Sequence, residues 1–183
     1  MKVLVVGGGG REHALCWRLA QDPTVTRVLA APGNAGIATI AECFPGVAAD
    51  DVDALVKLVD QQEADLTVVG PEAPLVAGLA DALRARGRAV FGPSAAAARI
   101  EGSKAFAKDV MARRGIPTAR AGVFDDVEKA TAFVEELGGQ AVVKADGLAA
   151  GKGVTVARDR ETAVAALQDC LVRRVFGGAG ATV

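Results

Sequence analysis

Apolar residues fall into short β-branched runs that alternate with stretches of 3.6-residue spacing. Residues 2–6 (KVLVV) read as a strand buried on both faces, because the run is continuous rather than alternating. The spacing predicts a helix over 11–21, with Ala14, Leu15, Trp17 and Leu19 facing inward. A second strand is expected over 27–31. A helix follows over 51–62, where Val52, Leu55, Val56 and Val59 recur at helical spacing. A strand over 65–69, a helix over 75–86 closed by Gly87, and a strand over 89–91 complete this part. Such alternation predicts an α/β fold: an open parallel sheet with helices on both faces.

The pattern changes after Gly92-Pro93-Ser94. Two short helices are expected over 94–99 and 103–114, divided by Glu101-Gly102, with Ser103 able to cap the second. Gly115-Ile116-Pro117-Thr118 reads as a turn. Beyond it the spacing predicts a helix over 127–137, strands over 141–144 and 153–157, and a helix over 159–172. The strands flank a glycine-rich, lysine-bearing segment, which fits a hairpin with a long tip. Residues 177–183 read as a glycine turn leading into a further strand.

Composition narrows the function classes. The chain has 183 residues, 51% of them apolar, enough core for one large domain or two small ones. Lys plus Arg is 21 against 22 for Asp plus Glu, so nothing favours nucleic acid or an anionic membrane as partner. No apolar run approaches ~18 residues, and the amino terminus lacks the pattern of a signal peptide, so neither a span nor secretion is expected. Cys16, Cys43 and Cys170 are scattered, without disulfide or metal spacing. They fit small buried hydrophobes in a reducing cytosol.

The candidate chemistry begins at Gly7-Gly8-Gly9-Gly10-Arg11-Glu12-His13, directly after the first strand. Glycines admit an anion close to the backbone, the next helix points free N–H groups there, and Arg11 adds a charged fork for phosphate. The segment does not carry a dinucleotide fingerprint. In the G-x-G-x-x-G spacing the third glycine falls on Glu12 or His13, and Ala30-Ala31-Pro32-Gly33-Asn34 offers no acid for a ribose hydroxyl. His13, the only histidine, has no second histidine for a metal site or relay and reads as a structural hydrogen-bonder. Pro32-Gly33-Asn34-Ala35-Gly36 and Val69-Gly70-Pro71-Glu72 also follow strands, at the carboxyl edge where open α/β sheets bind ligands. Together the three loops favour a small-molecule pocket with Glu72 as its acid. Each of them alone also fits an ordinary packing turn.

In the second half, Lys144 ends an apolar strand, so its ammonium is expected to leave the core for a cleft. The glycine-rich hairpin that follows, with Lys152 at its tip, fits a loop that closes over polyphosphate through backbone N–H groups. A solvated hairpin with surface lysines is the plain alternative.

Taken together, GGGGREHAL at 7–15, PGNAG at 32–36, VGPEAPL at 69–75, FGPS at 91–94, EGSKAFAKD at 101–109 and VKADGLAAGKG at 143–153 resemble the phosphoribosylamine–glycine ligase family (glycinamide ribonucleotide synthetases) of the ATP-grasp superfamily. The resemblance covers the whole chain. It implies a Rossmann-like domain over 1–101 and, over 102–183, the start of an α+β ATP-grasp domain. It implies an ATP-dependent joining of glycine to 5-phosphoribosylamine, giving glycinamide ribonucleotide, ADP and phosphate, in cytoplasmic de novo purine synthesis. ATP would phosphorylate the glycine carboxylate, and the amine would then attack the acyl phosphate. By the same resemblance, Gly9, Gly10, Arg11, Asn34 and Glu72 would hold the phosphoribosyl substrate. Lys104, Lys144, Gly147, Gly151, Lys152 and Gly153 would hold ATP. No catalytic residue is singled out. Magnesium or manganese is implied, with ligands expected past Val183, so the chain reads as an amino-terminal portion without ligase turnover alone. A binding module without turnover, or another ATP-grasp carboxylate–amine ligase, is the alternative.

Overall fold

Both faces of the first strand are apolar, and the structure, a computed structural model describing residues 1–149 and 152–183, places that strand at the centre of a sheet. β1 (Lys2–Gly7) is flanked by β2 (Arg27–Pro32) and β4 (Leu66–Val69), with β3 (Glu42–Cys43) and β5 (Val90–Phe91) at the edges; every pairing is parallel. Val3 lies opposite both Val28 and Leu66. Val3 and Val5 enter one core with Val28, Ala30, Ile37 and Cys16 of α1 (Gly10–Leu19). Leu4 and Val6 enter the other with Leu29, Ala31, Leu55, Val56 and Val59 of α2 (Val52–Gln62) and Leu79 and Leu83 of α4 (Leu79–Ala85). Successive side chains point to opposite faces, so one strand supplies two cores. β2 and β3 lie on one side of β1, β4 and β5 on the other. The chain therefore reverses its direction across the sheet, and the carboxyl ends of β1 and β4 are the switch point at which open α/β sheets form a ligand crevice.

Several elements differ from the sequence-based expectation. Ala14 and Trp17 are exposed; the inward stripe of α1 is Glu12, Leu15, Cys16 and Leu19. That stripe has the i, i+3, i+4, i+7 spacing, but it starts on a charged residue and so escapes an apolar search. The helix expected over 75–86 is two, α3 (Glu72–Val76) and α4, separated at Gly78. Gly78 has φ +94°, a conformation without steric cost only for glycine. α5 (Ala95–Gly102) runs through Glu101-Gly102, so the break comes at Ser103. Ser103 caps α6 (Lys104–Arg113), accepting from the Phe106 N–H at 3.0 Å.

Thr67 of β4 is 1% exposed, and its hydroxyl has no hydrogen-bond partner among the described residues. Thr67→Val removes that unpaired group at nearly constant shape and is expected to stabilise the chain by ~1–2 kcal/mol, read as a higher denaturant midpoint with unchanged slope.

The chain divides into two compact units, Met1–Ala98 and Arg99–Val183. In the second, β6 (Ala141–Lys144) and β7 (Val154–Ala157) pair antiparallel, with Val143 opposite Thr155. Val143 and Ala157 pack with Ala130 and Val134 of α7 (Val127–Glu136), Ala163 and Leu167 of α8 (Arg160–Leu167), and Cys170. Val142, Lys144, Val154 and Val156 are exposed. The helix expected to reach 172 ends its α-helical part at Leu167 and continues as a wider turn over Gln168–Val172. Residues Gly177–Ala181 form a 3-10 turn. In place of a regular strand at the end, Val183 exchanges two backbone hydrogen bonds of 2.9 Å with Phe124. All three cysteines are free. Burial pushes the Cys16 thiol up to about 11. No helix among the described residues is long and apolar enough to cross a membrane.

Candidate functional site

In the first unit the glycine run turns the chain from β1 into α1, whose N-terminus opens on the crevice. Gly9 is the N-cap, in extended conformation, and its N–H donates to Glu12 Oε2 at 2.7 Å. Arg11 lies in the first turn. Its Nε donates to Glu12 Oε1 at 3.0 Å, and its Nη2 lies 3.7 Å from Glu72 Oε2 at the start of α3. The Glu12 side chain is 4% exposed and that of Arg11 62%. One edge of the guanidinium is thus held from inside, Nη2 faces Glu72, and more than half of the side chain stays exposed. The pKa of Arg11 is raised, foremost by the hydrogen bond to Glu12 and, less strongly, by the charges of Glu12 and Glu72; desolvation opposes this. The group is a permanent cation with a fork suited to phosphate.

Asn34 has a different place from a pocket-lining amide. Its Nδ2 donates to the Gly8 carbonyl and its Oδ1 accepts from the Ile37 N–H, both at 2.8 Å. It ties the second loop to the first. Gly10 is exposed, and a Cβ there would meet nothing within 4 Å. A Cβ on Gly36 would lie 2.7 Å from His13 Cε1, so the histidine ring packs on the second loop. Arg11, Glu72, Gly9, Gly10 and, through Gly8, Asn34 therefore gather at one sheet edge. Glu12 is the member that sequence reasoning leaves without a role. Its signal is a glutamate three residues after the N-cap glycine, the position from which a side chain can reach back to the N-cap N–H.

In the second unit Lys104 Nζ donates to the carbonyls of Asp146 and Gly147, each at 3.2 Å. The Asp146 carboxylate accepts from the Ala105 N–H at 2.7 Å and from the Ser103 hydroxyl at 2.9 Å. The start of α6 is thus tied to the turn after β6. Lys144 is exposed and, with Lys104, Lys108, Val142 and Val156, borders a cavity of about 570 Å³ lying along β6 and residues 119–124. Gly147 has a packing role: its N–H donates to the Ala179 carbonyl at 3.2 Å, and a Cβ there would lie 2.9 Å from Ala179 Cα. The Gly153 carbonyl accepts from the Ala145 N–H at 2.8 Å, and Lys152 is exposed. Gly151 lies outside the described residues. Among the described residues no three His, Cys, Asp or Glu side chains group as metal ligands.

Asp146→Ala removes both acceptors at the start of α6 and is expected to cost ~1–2 kcal/mol, lowering the melting temperature by about 2–6 °C. Asp146→Asn keeps an acceptor for the Ala105 N–H and should lose less than half as much in the same calorimetric scan.

Residues 1–101 match the family described as Phosphoribosylglycinamide synthetase, N domain, and residues 102–183 match Phosphoribosylglycinamide synthetase, ATP-grasp (A) domain. The chain belongs to the phosphoribosylglycinamide synthetase family. A phosphoribosylamine–glycine ligase of Xanthomonas campestris is 55% identical over 184 aligned residues, covering 100% of this chain and 43% of that protein. The ligase of Pseudomonas aeruginosa is also 55% identical, over 185 residues, with 100% and 43% covered. The chain thus spans less than half the length of these relatives. Among solved structures, a phosphoribosylamine–glycine ligase from Thermotoga maritima superposes with TM-score 0.77 at 30% identity, over 97% of this chain and 41% of that one. The biotin carboxylase domain of a Hydrogenobacter thermophilus 2-oxoglutarate carboxylase, in complex with MgADP and bicarbonate, superposes with TM-score 0.75 at 24% identity. It covers 97% of this chain and 42% of that one, and shows a shared fold.

Proposed function

We propose that this chain supplies the phosphoribosyl-binding part, and one wall of the nucleotide site, of a phosphoribosylamine–glycine ligase. The observation that carries the reading is the Arg11 fork, held by Glu12 beside Glu72 at the α1 N-terminus, in a chain 55% identical to such ligases. Arg11 and the N–H groups of Gly9 and Gly10 would take the phosphate. Glu72 would take the sugar hydroxyls or the amine, and Asn34 would keep the two loops in register. Lys104, Lys144, Gly147, Gly151, Lys152 and Gly153 would meet the ATP phosphates. Transfer of the γ-phosphoryl to the glycine carboxylate releases ADP. Attack of the ribosyl amine on the acyl carbon then forms the amide and releases phosphate. The setting that fits is the cytoplasm, with small-molecule substrates and no nucleic acid or membrane partner.

The test uses the complete enzyme with ATP. ADP formation should require both glycine and 5-phosphoribosylamine and yield an amide product by mass spectrometry. ADP formation that proceeds with bicarbonate in place of glycine would assign another ATP-grasp chemistry.

A further inference from the structure

We infer that Glu12 is the positioning residue for Arg11: its buried carboxylate fixes the guanidinium at the mouth of the crevice and locks it to the Gly9 turn. The inference rests on the reading of Arg11 as the phosphate contact.

Glu12 is 3% exposed, so its charge needs partners within the fold. Its two oxygens are divided between two donors, Oε2 to the Gly9 N–H and Oε1 to Arg11 Nε. The side chain is also walled in. A Cβ on Gly7 would lie 2.6 Å from Glu12 Cγ, one on Gly70 2.5 Å from the same atom, and one on Gly9 2.8 Å from Oε2. Glycines at the ends of both β1 and β4 thus leave the carboxylate a single seat. A group fixed in this way passes its position to whatever it holds. Arg11 is a long, largely exposed side chain that would otherwise sample many rotamers, and ordering it would fall on the binding step. With Nε engaged from below, the open edge of the fork is presented in one orientation. Glu12 touches no substrate in this arrangement, and its effect on binding passes through Arg11.

Glu12→Gln is the informative change. The amide has one carbonyl oxygen for two donors, so either the Gly9 N–H or Arg11 Nε faces an NH₂ group. In the complete enzyme, Glu12→Gln should raise the KM for 5-phosphoribosylamine about tenfold while kcat and the KM for ATP stay within about twofold. The double variant Glu12→Gln/Arg11→Ala should be no worse than Arg11→Ala alone. Additive losses, or a fall in kcat with KM unchanged, would overturn the inference. A second measurement needs no substrate and no variant in the core. In ¹⁵N NMR of the 183-residue chain, the Arg11 Nε–H should be a dispersed, slowly exchanging signal, identified by its loss in Arg11→Ala. Exchange as fast as that of free arginine would equally overturn it. If Arg11→Ala itself leaves every KM unchanged, the phosphoribosyl reading fails, while the NMR signal still decides whether Glu12 holds Arg11.

Discussion

Arg11→Ala in the complete enzyme is expected to raise the KM for 5-phosphoribosylamine by roughly tenfold to more than a hundredfold, the range of one charge-assisted contact of ~1.5–3 kcal/mol. The KM for ATP should stay within about twofold if Arg11 contacts the phosphoribosyl phosphate and not the nucleotide. The fold should persist but lose some stability, because the buried Glu12 carboxylate loses its charged partner. The Arg11 side chain is 62% exposed, so little packing is lost with it. Glu12 loses one hydrogen-bond donor but keeps the Gly9 N–H. Initial-rate kinetics with each substrate varied in turn give the comparison. An equal rise in both constants would place the phosphate contact elsewhere.

Gly70→Ala is expected to have the largest effect on stability. The new methyl would fall 2.5 Å from Glu12 Cγ and closer still to Oε1, and both lie in a side chain that cannot retreat because Gly7 and Gly9 border it. Either β4 shifts away from β1, or the buried carboxylate loses its donors. We expect a cost of ~2–4 kcal/mol and a melting temperature lower by about 5–15 °C, with more of the loss coming from the charged contact than from overpacking alone. Gly10→Ala is the control. Its methyl would meet nothing within 4 Å, and the change should stay within ~0.5 kcal/mol. Scanning calorimetry of the two variants side by side makes the comparison. If they match, the crevice is looser than the contacts around Glu12 imply.

Legibility in the sequence followed the apolar signal. β1, β2, β4 and α2 were readable because each buries a continuous or periodic apolar set, and the α/β class followed from their alternation. β3 was not, because its two residues, Glu42 and Cys43, carry no apolar run. Nor was the break at Gly78, since Leu75, Leu79 and Leu83 keep helical spacing through it. In the candidate site, Arg11 and Glu72 were legible as charges beside glycine turns, and they are brought together. The amide of Asn34 is bound to backbone on both sides, a role that depends on Gly8, which is distant in sequence. Glu12 was hidden for a simpler reason: a glutamate in the first turn of a helix usually faces water. The close approach of Gly7 and of Gly70, which follows β4, shows that this one does not.

The strand order β3-β2-β1-β4-β5 also bears on synthesis. The central strand is made before the strands that flank it. Val28 arrives soon afterwards to pair with Val3, and α1 can cover the Val3–Val5 face at once. The Leu4–Val6 face must wait for α2, and the free edge of β1 must wait for Leu66 of β4. At about 5–20 residues per second, the interval between Val28 and Leu66 lasts ~2–8 s. That is far longer than the microseconds a hydrophobic collapse needs. During that interval any pairing of β1 with β2 leaves the Leu4–Val6 face uncovered until α2 is made and one edge of β1 open until β4 is made. Such a chain is one that a holding chaperone binds and that a neighbouring nascent copy could pair with. Slow codons between β2 and β4 would lengthen that exposure, while slow codons after β5 would leave it unchanged.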